Sequence, residues 1–307
     1  MKALVVYNAF SGKSKILKKI DFICEQLKTK YDVVESFSST GPKSLTDYVT
    51  YNGSSYDLIV AAGGDGTVNE VVNGVMKLEN RPTLAYVPVG TCNDVGKSLG
   101  LKRNVKKTMK IILEENKAFL DVNKINNQYF VYGLAAGNFI SISYKTNQKM
   151  KKKFGIFAYY IEAVKHVGED ESITINIDAD GKKYSGDYFL FLATNSRYLA
   201  SFKLHKKKRI YLDNAKLSVT LIKKKNRLIN LIDLGLFLLI GEAYNHNIIT
   251  FEANKLAITS NKAIRYNTDG EKSPKIDKLE VQVLPEQIDV IVSKRVLKRH
   301  FNKVSSN

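Results

Sequence analysis

Residues Ala61 to Val72 read AAGGDGTVNEVV, and this stretch decides the fold of the first half of the chain. A buried strand ends in Gly63 and Gly64, and a helix begins within a few residues. Glycines at such a turn let backbone amides approach a bound group. The unpaired N–H groups and dipole of the following helix start favour an anion, for which phosphate is the natural ligand. Asp65 sits among these amides and would repel phosphate unless a cation bridged the two, a conflict that Mg2+ resolves. A dinucleotide fingerprint counted from Gly64 fails at its last position, where Asn69 stands, so hydride transfer loses its main support. A plain glycine turn capped by Asp65 is the competing reading for one such loop taken alone.

Working outward, strand candidates Ala3 to Tyr7, Val33 to Phe37, Asp57 to Ala61 and Thr83 to Val87 alternate with helical patterns, the order of a parallel sheet covered by helices. The next strand leaves through Val87 to Asp94, VPVGTCND, which supplies a glycine, the Thr91 hydroxyl, the Asn93 amide and the Asp94 carboxylate. Ligands of open α/β sheets bind at the carboxyl ends of strands, so both loops can address one nucleotide. The first strand ends in NAFSGKS, Asn8 to Ser14. This is not a Walker A motif, because Tyr7 stands where the pattern needs glycine, yet it can add amides and hydroxyls to the same edge.

From about Leu120 the chain becomes β-rich, with strand candidates Phe119 to Ile125, Tyr129 to Leu134, Ser172 to Ile177, Tyr184 to Thr194 and Lys216 to Ile222. Helical patterns interrupt at Phe154 to His166 and Arg227 to Ala243. The second is apolar nearly all round, so it is buried or faces another apolar phase, and a core helix is the favoured reading. At 307 residues the expectation is two domains. These are an N-terminal α/β parallel-sheet nucleotide domain over 1–125 and a β-rich, β-sandwich-like domain over 126–288, with 289–307 packing back on the first. Hydrophobic residues at 44% and charged residues at 25% exclude global disorder. Lys plus Arg 48 against Asp plus Glu 30 gives +18, which favours polyanionic partners. Two cysteines, Cys24 and Cys92, make neither a disulfide framework nor a thiolate metal site and fit a reducing cytoplasm. The N-terminus lacks the features of a signal peptide, and the most apolar run, Leu234 to Gly241, is far below the ~20 residues of a membrane-spanning helix.

GGDGTVNEVVNG together with PVGTCND resembles the catalytic domain of the diacylglycerol kinase family, in particular its soluble bacterial lipid kinases. NAFSGK, YFVYGLAAGNF at 129–139, FAYYIEAVKHV at 157–167 and NTDGEKS at 267–273 extend the resemblance over most of the chain. It implies ATP- and Mg2+-dependent phosphorylation of a lipid hydroxyl, diacylglycerol to phosphatidic acid or a related alcohol, in a cleft between two domains. Glu271 of the late DGE is implied as the base, Asp65 as a magnesium ligand and Asp94 as support for that metal or the substrate. Asn8, Ser11, Gly12, Lys13, Gly63, Gly64, Gly66, Thr67, Asn69, Glu70 and Thr91 match positions lining the ATP site, as does a hydroxyl among Ser38, Ser39 and Thr40. The second-domain magnesium site of the family uses neighbouring aspartates. Here Asp213 is followed by Asn214, with the Leu217 carbonyl as the remaining ligand, a set of lower charge that binds more weakly or stays empty.

The resemblance also implies a cytoplasmic protein held peripherally on the anionic inner face of the cell membrane, about 1 kcal/mol per basic residue near the lipid serving that attraction. Clusters Lys149 to Lys153, Lys206 to Arg209 and Lys223 to Lys225 could provide it, although such runs are usually solvated faces. Self-association as a homodimer stays open. An NAD kinase-like enzyme with a soluble nucleotide acceptor is the first rival, disfavoured by the β-rich half and the charge. A basic nucleic-acid-binding protein is the second. It calls for aromatic platforms or a recognition helix, neither of which is apparent, so no nucleic-acid partner is expected. His166, His205, His246 and His300 show no ligand spacing, and Cys92, Tyr159 and Tyr160 are read as packing residues.

Overall fold

Strands β1 (Lys2–Tyr7), β2 (Val33–Ser38), β3 (Leu58–Gly63) and β4 (Thr83–Pro88) lie side by side in the order β2-β1-β3-β4, all parallel. The computed structural model describes residues 1–8, 13–137, 172–199, 202–204, 211–240 and 243–302. Alternation of side chains along these strands builds two cores. Leu4, Val6, Ile59, Ala61, Leu84 and Tyr86 pack with α2 (Ser44–Asn52) and α3 (Asp65–Val75) through Leu45, Val49, Val68, Val71, Val72 and Val75. On the other face Ala3, Val5, Leu58, Val60 and Ala62 pack with α1 (Lys13–Leu27) and α5 (Val105–Leu113). Burial on both faces is why these strands are continuous apolar runs.

The register lines up the strand ends. Tyr7 is opposite Ser38 and Ala62, and Gly63 is opposite Pro88. The connections after β2, β1, β3 and β4 therefore leave along one edge, with the reversal of strand order at β1, where ligands of open α/β sheets bind. A short helix, α4 (Asp94–Ser98), follows the β4 loop.

The second half is strand-rich: β5 (Lys117–Ile125), β6 (Gln128–Phe130), β7 (Gly133–Gly137), β8 (Ile173–Ala179), β9 (Lys182–Thr194), the short pair β10 (Tyr198–Leu199) and β11 (Phe202–Lys203), and β12 (Leu217–Lys223). Helix α6 (Arg227–Ile240) precedes β13 (Ile248–Ala253), β14 (Lys255–Thr268), β15 (Glu271–Ile291) and the closing helix α7 (Lys294–His300). Strands β9 and β14 each pair with β8 over one part of their length and with β7 over another, closing a circuit β7-β9-β8-β14 around an apolar core that includes Leu134, Ile175, Phe191 and Ile258. Strand β15 pairs with β14, then β5, and at Val290 with Leu84 of β4, merging both halves into one 13-stranded sheet. This is the expected α/β chain with a β-rich second half.

The single strand expected over Tyr129 to Leu134 is broken into β6 and β7, because the amides of Val131, Tyr132 and Gly133 turn onto the carboxylate of Asp269. The helix expected from Arg227 to Ala243 is described over Arg227–Ile240, residues 241 and 242 lying outside the described residues, and only one side of it is in the core. The helix expected at Phe154 to His166 lies outside the described residues, as do Lys149 to Lys153 and Lys206 to Arg209.

Candidate active site

Two strand-end loops are pressed together. Gly63 O accepts the N–H groups of Val89 at 2.9 Å and Gly90 at 3.0 Å, and the Tyr86 hydroxyl at 3.1 Å. A methyl group added to Gly90 would lie 2.4 Å from the Gly64 Cα, and one on Gly63 would lie 2.2 Å from Thr67 Oγ1. These glycines are thus required by loop packing before any ligand is considered. Asn93 pins the second loop in a left-handed conformation, φ 56, accepting from Tyr86 Oη at 2.9 Å and donating to Gly90 O at 2.9 Å.

Asp65 and Asp94 open α3 and α4, where negative charge suits the helix dipole. The N–H of Val95 donates to Asp65 Oδ1 at 3.1 Å and ties the two helix starts together. Burial, then the nearby Asp94, pushes the Asp65 carboxyl up to about 6 against the stabilising backbone N–H groups. The Asp94 side chain is fully buried and paired with Lys97 Nζ at 3.0 Å.

The third part comes from the far end of the chain. Asp269, φ 51, and Gly270, φ 90, form the two-residue turn between paired Thr268 and Glu271, the left-handed pair that a tight hairpin needs. Asp269 is buried and accepts from the amides of Val131 (2.6 Å), Tyr132 (2.8 Å) and Gly133 (3.0 Å) and from Asn69 Nδ2 (2.8 Å). Desolvation raises its pKa in spite of these donors. The turn so anchored carries Glu271 to the glycine loop: a methyl on Gly66 would lie 2.9 Å from Glu271 Oε1. Glu271 as a residue is exposed, but its carboxyl end is partly desolvated and held above its ordinary pKa. Tyr132 is buried nearby, and burial with the Asp65, Asp269 and Asp94 carboxylates pushes its phenol well above the ordinary value, keeping it a donor.

The Diacylglycerol kinase catalytic domain family matches residues 2–125. Diacylglycerol kinases from Staphylococcus aureus strains bovine RF122 / ET3-1 and MRSA252 are each 30% identical over 281 residues, 90% of this chain and 87% of theirs. The chain belongs to the diacylglycerol kinase family. A solved structure from Bacillus anthracis str. Sterne superposes with a TM-score of 0.80 at 27% identity, covering 96% of this chain and 98% of that one. A second, of a diacylglycerol kinase from the same organism, has the same fold, with a TM-score of 0.76 at 24% identity over the same shares. Membership of the diacylglycerol kinase family makes the chain a lipid kinase in the general sense.

Within this family member Gly63, Gly64, Asp65, Gly66, Thr67, Asp94 and Glu271 come together. Thr91 is exposed on the second loop, and Asn8 is half-buried just after β1. Ser11 and Gly12 lie outside the described residues, and Lys13 opens α1. Two implied nucleotide contacts have structural partners instead. Glu70 Oε2 accepts from the Leu45 amide at 3.2 Å at the start of α2, and the Asn69 amide donates to Asp269 and to Tyr129 O. Ser39 is buried with its hydroxyl on Ser44 Oγ (2.9 Å) and Gly41 O (3.1 Å), Ser38 ends β2 half-buried, and Thr40 is exposed. Asp269, Tyr132 and Tyr86 were not singled out by sequence. Only Asp269 carried a signal, as the first residue of a DG turn.

Among the described residues no three His, Cys, Asp or Glu side chains converge closely enough to hold a metal ion. Magnesium is commonly held by one or two carboxylates with water and substrate phosphates, and Asp65 beside Gly64 and Gly66 fits that role. The Asp213, Asn214 and Leu217 set fits poorly. Asp213 accepts from the backbone and side chain of Asn302, Asn214 Oδ1 accepts from the Lys216 amide at 3.3 Å, and Leu217 begins β12. The neighbouring Asp121 is closed off by the amides of Ala215 (2.7 Å) and Glu286 (3.0 Å).

Proposed function

We propose that this protein transfers the γ-phosphoryl group of ATP to the hydroxyl of diacylglycerol, or of a related lipid alcohol, with magnesium, giving phosphatidic acid from diacylglycerol. The observation that carries this reading is the seating of Glu271 Oε1 against Gly66 of the glycine loop. There the carboxylate accepts the alcohol's proton as the oxygen bonds to the γ-phosphorus and ADP leaves. A raised pKa makes Glu271 a stronger base at a pH where it is still ionised. The amides of Gly64 to Gly66 and of Thr91 face the phosphates, with Gly63, Thr67 and Gly90 closing the turns that present them, and Asn8, Ser11, Gly12, Lys13, Ser38 and Ser39 are assigned to the nucleotide from the family motif. Asp65 would hold the magnesium ion, directly or through water; when bound, that ion neutralises charge on the phosphates. Asp94, paired with Lys97, supports that metal or the substrate. Residues 1–125 form the nucleotide-side unit, 126–288 the lipid-side unit, and 289–307 pack back on the former. The protein works from the cytoplasm at the anionic inner face of the cell membrane.

The test is incubation with radiolabelled ATP, magnesium and a panel of lipid alcohols in anionic liposomes, with NAD as the soluble control. Label in phosphatidic acid is the expected result. Label in another lipid phosphate changes the acceptor, and label in a phosphorylated nucleotide overturns the lipid reading.

A further inference from the structure

Helix α6 is built inside out for a helix facing water. Its polar side chains point inward: Asp233 is 2% exposed and accepts from Tyr244 Oη (2.6 Å), Asn245 Nδ2 (2.8 Å) and Asn247 Nδ2 (3.1 Å). Asn230, also 2% exposed, donates to Lys223 O at 2.8 Å and accepts from the Lys225 amide at 2.9 Å. Leu234, Phe237 and Leu238 complete the buried side. The outward side is apolar, with Leu228 at 69%, Ile229 at 38%, Ile232 at 49% and Leu239 at 54% exposure. These are four of the eight large apolar residues exposed among the described ones. Leu228, Ile232 and Leu239 fall on one stripe of a helix, spaced by four and seven residues.

A stripe this apolar on a rigidly anchored helix calls for a non-aqueous partner. Charge selects it. Lys223, Lys224 and Lys225 are exposed just before the helix and Arg227 opens it, while the one acid between 223 and 240 is the buried Asp233. A second copy placed symmetrically on this face would set one basic collar against another, whereas an anionic lipid surface complements both collar and stripe. At 14 residues α6 is about 21 Å long, too short to cross a bilayer, and no described helix is long and apolar enough to do so.

We infer that the outward stripe of α6, Leu228, Ile232 and Leu239 with the Lys223–Lys225 collar, is the face that docks on an anionic bilayer, lying flat with its apolar side chains in the headgroup boundary. The inference rests on the lipid kinase reading and names the surface that reading lacks.

The test is co-sedimentation with phosphatidylcholine vesicles with and without about one-third phosphatidylglycerol. The triple variant Leu228→Ser, Ile232→Ser, Leu239→Ser replaces exposed side chains, so it should fold like wild type and phosphorylate a water-soluble short-chain diacylglycerol at the wild-type rate. It should bind the anionic vesicles roughly tenfold or more weakly. Lys223→Glu, Lys224→Glu, Lys225→Glu should bind weakly and lose most of the salt dependence. Wild-type binding by the serine variant overturns the inference, as does a fall from dimer to monomer mass in analytical ultracentrifugation, which would assign the stripe to a second copy. Sedimentation is read without turnover. A wild type that phosphorylates no lipid but loses vesicle binding on the serine changes therefore supports the docking face and overturns the proposed reaction alone.

Discussion

Asp65 and Asp121 make an instructive pair. Each is almost inaccessible, each accepts backbone N–H groups, and burial pushes each carboxyl to about 6. What differs is the surroundings. Asp65 lies between Gly64 and Gly66, the second of which meets Glu271 Oε1, whereas the amides of Ala215 and Glu286 close over Asp121. A perturbed carboxylate therefore does not mark a catalytic centre by itself.

The sharpest way to break this comparison is at the two glutamates. Glu271→Gln should lower turnover about 10²- to 10⁴-fold, the usual worth of a general base, with ATP affinity by calorimetry nearly unchanged. Glu286→Gln, next to Asp121, should leave turnover at the wild-type level. Equal losses in both would remove the distinction. The next effect is at the aspartates. Asp65→Ala should lower turnover about 10²-fold and raise the magnesium concentration needed for half-maximal rate. Asp121→Ala removes the acceptor of two part-buried amides, at up to about 1–3 kcal/mol each, so its melting temperature should fall while the rate per folded molecule holds. Magnesium-dependent turnover that changes in Asp121→Ala would reverse the assignment.

The pH dependence of stability should be smaller but informative. Both carboxyls titrate higher in the folded protein, about 6, than the ordinary 3.8, so the fold favours their protonated forms. Their ionisation costs stability progressively as pH rises from about 4 through about 6, up to about 3 kcal/mol for each, and no further above that. Thermal unfolding in chelator should show a flatter decline over this window for Asp65→Asn than for wild type. An unchanged profile would contradict the desolvation of Asp65. Smallest of all, Asp213→Asn should leave the magnesium-induced rise in melting temperature unchanged, since Asp213 is engaged by Asn302.

The loops were legible because their glycines and acids are contiguous, and the parallel strands because they are buried on both faces. The far partners were not. Asp269 meets amides 136 to 138 residues away, a pairing no local pattern records, and that meeting also splits the expected strand over Tyr129 to Leu134. Strands β13, β14 and β15 were not read from the sequence, and β15 runs on through Pro274 and Pro285, residues that ordinarily interrupt a strand. In α6 the all-round apolar pattern was visible, but only coordinates reveal that its few polar residues face inward. Glu70 and Asn69 lie in the motif that names the family, yet their side chains brace neighbouring elements.

Strand β15 has a mechanical meaning. One end bears Glu271, the other pairs with β4, whose loop holds Gly90, so Glu271 and the β4 loop hang on one ribbon. Its pairing with β5 slips between Leu284 and Ile288, where Glu286 takes φ 56, and its pairing with β14 shifts twice more, between Lys278 and Ile276 and between Lys275 and Lys272. Any movement of Glu271 relative to the β4 loop must flex one of those joints or shear a ladder of hydrogen bonds, which makes their separation a stiff, spring-loaded quantity.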